Sequence, residues 1–167
     1  GLAHPVAREK LLIDLRYDKA EHPIVAQIFG GKPDNIREAA KLCAELGFDG
    51  VDINMGCPDK AIEKQCAGSG MIKNPPLARE VIRAAIEGAG GLPVSVKTRI
   101  GYNKNEMETW LREVLSEDIA VLTVHLRTRK EMSDVPAHWD LMKRILEIRD
   151  EVNKNVLIFG NGDVLDI

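Results

Sequence analysis

Five short runs of β-branched and aliphatic residues, each followed by an amphipathic segment, constrain this chain more than any other feature. The runs are 24–29 (IVAQIF), 50–54 (GVDIN), 93–98 (PVSVKT), 120–125 (AVLTVH) and 156–160 (VLIFG). Between and after them, helices are predicted over 34–46, 76–89, 106–116 and 138–152. Pro33-Asp34 opens the first helix and Gly47 closes it, the usual end signals; in the last, Leu141, Ile145 and Ile148 repeat at helical spacing. Strand alternating with helix means parallel strands joined by right-handed crossovers. The runs begin roughly 26 to 44 residues apart, bracketing the roughly 31 residues per unit of a (β/α)8 barrel.

Alternation within the runs is more informative than their rhythm. Ile24, Ala26, Ile28, Val51, Ile53, Val94, Val96, Leu122, Val124, Val156 and Ile158 fall on one apolar face, suited to lie under helices. The other face carries Gln27, Asp52, Asn54, Ser95, Lys97, Arg99, Thr123, His125 and Asn161, with few apolar residues such as Val25 and Phe159. A doubly wound sheet would bury both faces in apolar contacts. A barrel with a polar interior toward its C-terminal mouth accounts for the pattern better. The expected fold class is therefore α/β, a partial TIM barrel with about five of its eight strands. Residues 1–167 would form an incomplete catalytic domain, truncated at both ends, with exposed edges and an open core. Residues 1–22 suggest only a short helical or irregular piece around Lys10–Leu15 and a charged loop.

Length suits one domain with a real core, and 44% hydrophobic with 29% charged residues is ordinary for a soluble globular protein. No apolar run approaches the roughly 20 residues of a membrane helix, and no signal peptide is visible. Three irregularly spaced cysteines make neither a disulfide framework nor a zinc knuckle, so no metal and a reducing, cytoplasmic setting are expected. A net charge of -3 offers no whole-chain basic footprint for nucleic acid.

The candidate chemistry gathers at strand ends. Val51-Asp52-Ile53-Asn54 runs into Met55-Gly56-Cys57-Pro58, placing a thiol on a constrained turn just past a strand, where α/β proteins keep reactive groups. The 56–75 loop that follows is long, as functional loops are. An inward Lys97 is costly unless compensated. It could form a Schiff base, as in a lyase or aldolase, neutralise an anionic cofactor edge, or pair with Asp52. Arg99 would lie above it at the mouth, able to hold a phosphate or a polar ring edge. His125 suits a general acid or base, or a donor to a cofactor. Gln27, Asn54 and Asn161 are amides that match the edge of a flavin or a base. Gly160-Asn161-Gly162-Asp163 permits close approach to a ligand, whereas Gly68-Ser69-Gly70 is a turn rather than a phosphate loop. His4, His22 and His138 show no pairing pattern, and Trp139 reads as an apolar anchor.

Asp-Ile-Asn-Met-Gly-Cys-Pro-Asp-Lys (52–60), Ala-Gly-Ser-Gly (67–70), Pro75 and Pro-Val-Ser-Val-Lys-Thr-Arg (93–99) together resemble tRNA-dihydrouridine synthases. So do Thr-Val-His-Leu-Arg-Thr-Arg (123–129), Ala-His-Trp (137–139) and Gly-Asn-Gly-Asp (160–163), in matching order over about residues 23–164. The resemblance implies an FMN-bound TIM barrel, reduced by NADPH or NADH, that saturates the C5–C6 bond of uridines in tRNA. Hydride would pass from flavin N5 to C6. Cys57 matches the general acid that protonates C5, consistent with a free thiol being mostly protonated at neutral pH. Gln27, Lys97, His125 and Asn161 match flavin contacts, with Gly162 and Asp163 beside them. Asn54 and Arg99 match residues near the uracil and flavin, and Lys60, Arg127 and Arg129 lie on mouth loops within reach of RNA phosphates or of solvent.

Two departures from the family pattern stand out. Leu126 replaces the glycine usual after Val-His and is expected to crowd the flavin side; Glu131-Met132-Ser133 replaces a stretch that commonly carries glutamine and an aromatic residue. On that resemblance the first barrel strand, the final strand and the C-terminal helical domain that grips tRNA would be missing here, so an inactive truncated barrel is the other outcome, and weak or no FMN binding and no turnover are expected of this chain alone.

Overall fold

The structure, a computed structural model, describes residues 12–164. Residues 12–14 form a helical turn. Residues 10 and 11 of the piece expected there lie outside the described residues, as does His4. The strands β1 (Val25–Ile28), β2 (Gly50–Asn54), β3 (Val94–Arg99), β4 (Val121–His125) and β5 (Leu157–Asn161) form one parallel sheet in chain order. The helices are α1 (Pro33–Glu45), α2 (Lys60–Glu63), α3 (Pro75–Ala89), α4 (Met107–Leu115) and α5 (Met142–Val152).

Right-handed crossovers that always step in one direction keep every crossover helix on one side of the sheet, whereas a doubly wound sheet needs a reversal of strand order. No reversal occurs among the described strands, and the molecule is an arc of a (β/α) barrel. On the helix side Ala26, Val51, Ile53, Val94, Val96, Leu122, Val124 and Val156 are buried in one core with Ile36, Val81, Leu111 and Ile145. The opposite face is open: Val25 is 51% exposed, Phe159 56% and Leu157 58%. These side chains point into the lumen that the arc only partly encloses.

Several expectations change. The 56–75 connection is not structureless, because the Asp59 carboxylate caps α2 by accepting from the N–H of Ala61 at 2.7 Å and of Ile62 at 3.3 Å. A buried 3-10 turn, Gly68–Lys73, follows. The last helix is shorter than 138–152. Trp139 Nε1 donates to the Gly162 carbonyl at 2.8 Å and the His138 N–H to the Leu126 carbonyl at 2.8 Å. Those ties hold Trp139–Leu141 as a 3-10 turn, and α5 proper begins at Met142. Trp139 is 42% exposed and is held by its indole N–H, a polar anchor rather than the expected apolar one. His22 and His138 do pair, with Asp49 at 2.7 Å and Glu131 at 3.0 Å.

Candidate active site

Parallel register stacks the inward residues in rows. Gln27, Asp52, Ser95, Val121 and Leu157 make one row, above Val25; Asn54, Lys97, Thr123 and Phe159 the next; Arg99, His125 and Asn161 the row at the C-terminal mouth. Inward and outward residues alternate because the strand period is two.

Cys57 is held by its neighbours rather than by its own side chain. Asn54 Oδ1 accepts from the Gly56 N–H at 3.1 Å and the Cys57 N–H at 2.9 Å, while Asn54 Nδ2 donates to Gln27 Oε1 at 3.0 Å. The Ser69 N–H donates to the Cys57 carbonyl at 2.9 Å. Gly68 makes this approach possible: its φ is +57°, and a Cβ there would sit 2.7 Å from the Cys57 carbonyl oxygen. The thiol itself is half-buried and free.

Lys97 has no ion-pair partner among the described residues, which removes the Asp52 alternative. The reason lies one row below. Asp52 already accepts from Gln27 Nε2 at 2.7 Å and Ser95 Oγ at 2.6 Å. Burial, reinforced by the charge of Arg99 and opposed by Asp52, pushes the Lys97 ammonium below its ordinary value. An electron-rich ligand edge beside it would reverse that.

His125 Nε2 lies 3.1 Å from Nη1 of Arg127. A guanidinium only donates, so Nε2 accepts and the ring proton sits on Nδ1. Burial, then the positive charges of Arg99, Lys97 and Arg127, push the imidazole down to about 4. Held neutral, the ring offers its Nδ1–H as a hydrogen-bond donor. Asn161 Oδ1 is buried with no partner among the described residues, an acceptor that a ligand N–H would satisfy. Beside it Gly162 has φ +122°, and a Cβ there would meet Ala137 Cβ at 2.9 Å and the His125 ring at 3.1 Å. An ammonium, an N–H donor and an orphaned acceptor on one wall fit a flat heterocycle with an electron-rich edge.

The arginines differ from expectation. Arg127 is 5% exposed; it donates to the Val135 carbonyl at 2.6 Å, to His125, and to both oxygens of Asp163 at 2.5 and 2.6 Å. It supports the histidine from behind and does not face phosphates. Asp163 is occupied correspondingly, with the Ala137 N–H as a further donor at 2.7 Å. Arg129 is drawn to Glu63 at 2.7 Å and to the Pro58 carbonyl at 3.2 Å. Arg99 donates to the carbonyls of Gly56 at 2.9 Å, Thr128 at 3.1 Å and Met132 at 3.2 Å, tying the cysteine loop to the loop after β4; its Nη2 has no hydrogen-bond partner among the described residues. Lys60 is exposed on α2. Leu126 does not crowd the inward face, because alternation after inward His125 sends it to the core, where it is fully buried. Glu63, Tyr102 and Thr98 are parts of the site that the sequence pattern does not single out. Glu63 sits between Lys60 and Lys64, where a charged residue reads as solvated.

No helix among the described residues is long and apolar enough to cross a membrane, and no three His, Cys, Asp or Glu side chains there gather as metal ligands. Residues 3–167 match the family model described as Dihydrouridine synthase (Dus). A probable tRNA-dihydrouridine synthase of Staphylococcus aureus (strain Mu50) is 48% identical over 99% of this chain and 50% of its own length. Probable tRNA-dihydrouridine synthase 2 of Bacillus subtilis (strain 168) is 49% identical over 98% of this chain and 50% of its own. The chain therefore spans about half the length of the curated relatives it matches. With the motif-bearing turn, the inward lysine and the mouth histidine set on one barrel arc, the match over nearly every residue assigns the chain to the dihydrouridine synthase family.

Proposed function

We propose that the whole protein reduces uridine to 5,6-dihydrouridine in tRNA, with Cys57 as the proton donor. The observation that carries this is the barrel wall where Lys97 stands without an ion-pair partner and Asn161 Oδ1 without a donor among the described residues, His125 on the strand between them, with the turn that holds the Cys57 thiol tied to it through Asn54 and Arg99. The names of the relatives add tRNA and dihydrouridine to that wall. They favour a reductase over a Schiff-base lyase built on Lys97.

Bound FMN, reduced by NADPH or NADH, supplies the hydride that reaches C6 of the uracil ring. The chain does the rest. Lys97 and the Nδ1–H of His125 would hold electron-rich atoms of the flavin, and Asn161 Oδ1 would accept from one of its N–H groups. Gln27 holds Asn54, and Asn54 holds the backbone of Cys57, which would present its Sγ–H to C5 of a bound base. The proton moves from Sγ to C5 as the ring gains its hydride at C6. Arg99, bonded to the neighbouring Gly56 carbonyl, puts a positive charge beside the thiolate that remains until solvent reprotonates it. A uridine must leave its stack to reach this mouth, and the exposed Lys60 would be available to an RNA phosphate.

Cys57→Ala in the whole protein is expected to keep flavin and NADPH oxidation but to lose dihydrouridine, read by mass spectrometry of tRNA from cells carrying the variant. Normal product would sink the proton-donor assignment. Lys97→Ala is expected to lose flavin on dilution, seen as loss of visible absorbance; full retention would remove Lys97 from the cofactor wall.

A further inference from the structure

The Glu63 carboxylate lies outside the flavin wall, yet donors from separate elements converge on it. Its side chain is 10% exposed. Oε1 accepts from Ser69 Oγ at 2.6 Å and Arg129 Nε at 2.7 Å; Oε2 accepts from Tyr102 Oη at 3.0 Å and Arg129 Nη2 at 3.2 Å. These partners come from the Gly68–Lys73 turn, the loop after β3 and the loop after β4.

Two of those partners also grip the cysteine turn. The backbone N–H of Ser69 donates to the Cys57 carbonyl at 2.9 Å, and Nη2 of Arg129 donates to the Pro58 carbonyl at 3.2 Å. Lys73 Nζ, 4.3 Å from the centroid of the Tyr102 ring, and Arg129 at 5.5 Å hold the third partner by cation–π contact. One carboxylate thus fixes, through Ser69 and Arg129, the two consecutive carbonyls that follow the Cys57 and Pro58 α-carbons. Burial alone would raise the Glu63 carboxyl, but hydrogen bonds from Arg129, Ser69 and Tyr102 outweigh it and hold the group below its ordinary value, so it stays ionised through the neutral range.

We propose that Glu63 is a positioning residue for proton delivery, setting the direction of the Cys57 thiol through Ser69 and Arg129. This rests on Cys57 being the proton donor. A small error in aim is expensive for a transfer that needs near-contact geometry, which is why a residue that never touches substrate can control the step.

The whole protein carrying Glu63→Ala, Ser69→Ala or Tyr102→Phe is compared with the parent and with Cys57→Ala. The measurements are flavin content, NADPH oxidation, kcat and KM for tRNA, and the solvent deuterium isotope effect on product formation. The alkylation rate of Cys57 by iodoacetamide is measured without flavin, by peptide mass spectrometry. Glu63→Ala is expected to lower kcat about 10- to 100-fold with flavin content and NADPH oxidation unchanged. The isotope effect rises, because delivery of the proton becomes slow, and the alkylation rate changes several-fold. Ser69→Ala and Tyr102→Phe, which each remove one uncharged donor, show the same signature at smaller size and decide the matter if Glu63→Ala does not fold. Parent-like kcat, isotope effect and alkylation in the folded variants overturn the positioning role. Should Cys57→Ala itself form product normally, the proton-donor reading falls instead, whatever Glu63 does.

Discussion

Thr98→Val tests whether the cysteine turn is anchored to the helical layer by a buried hydroxyl. Trp110 Nε1 donates to Thr98 Oγ1 at 3.0 Å, and Thr98 Oγ1 donates onward to the Met55 carbonyl at 3.1 Å. The three residues are 2%, 0% and 0% exposed, so water cannot substitute. Valine keeps the volume and removes only the hydroxyl, leaving an indole N–H and a carbonyl without their partners. Each orphaned group costs about 1–3 kcal/mol, and some relaxation is allowed, so the expected loss is about 3 kcal/mol. For a domain of this size that lowers the thermal midpoint by about 6–12 °C. The assay is thermal or urea unfolding of the whole protein, with Trp110→Phe and the double variant completing a cycle. Trp110→Phe removes the donor, so the double variant should be less destabilised than the sum by about 1 kcal/mol. A Thr98→Val midpoint within about 2 °C of the parent would refute the reasoning.

Other expectations follow from the mouth. His125 is held near 4 in the folded state against about 6.5 unfolded, so between those values the unfolded chain binds the extra proton. Stability contributed by the neutral ring is complete above about 6.5, falls as pH drops toward 4, and levels off below; His125→Gln should flatten that slope in urea midpoints taken across the range, and equal slopes would mean the ring is not held neutral. Gly162→Ala should cost about 1–3 kcal/mol because both the positive φ and the His125 ring oppose a methyl group. Flavin loss on gel filtration should accompany it, and a stable, yellow Gly162→Ala protein would count against the close packing. Arg127→Met leaves Asp163 without its main partner and frees His125 Nε2, so a rise in the His125 titration midpoint is expected by NMR; an unmoved midpoint would argue that the arginine does not set the tautomer.

Why some of this could be read from the residues and some could not follows from the range of the interactions concerned. A side chain's face is decided by its immediate neighbours, since the strand period is two. Gln27, Asn54, Lys97, His125 and Asn161 are therefore legible in the sequence as one wall, and the barrel arc with them. The same rule, applied one residue past His125, would have turned Leu126 toward the core. Whether a charge on that wall is free is decided elsewhere. Arg127 is closed off by Asp163, 36 residues away, and Arg129 by Glu63, 66 residues away; no local pattern links either pair. Lys97 is left open for an equally remote reason, because Gln27 and Ser95, on the strands either side of Asp52, take up its carboxylate. At a barrel mouth, then, periodicity identifies which groups can face a ligand, and the carboxylate partners, assigned only by folding, determine which of them do. Lys97 meets both conditions. Arg127 sits two residues beyond the end of β4, carries the same charge, and is consumed in holding His125.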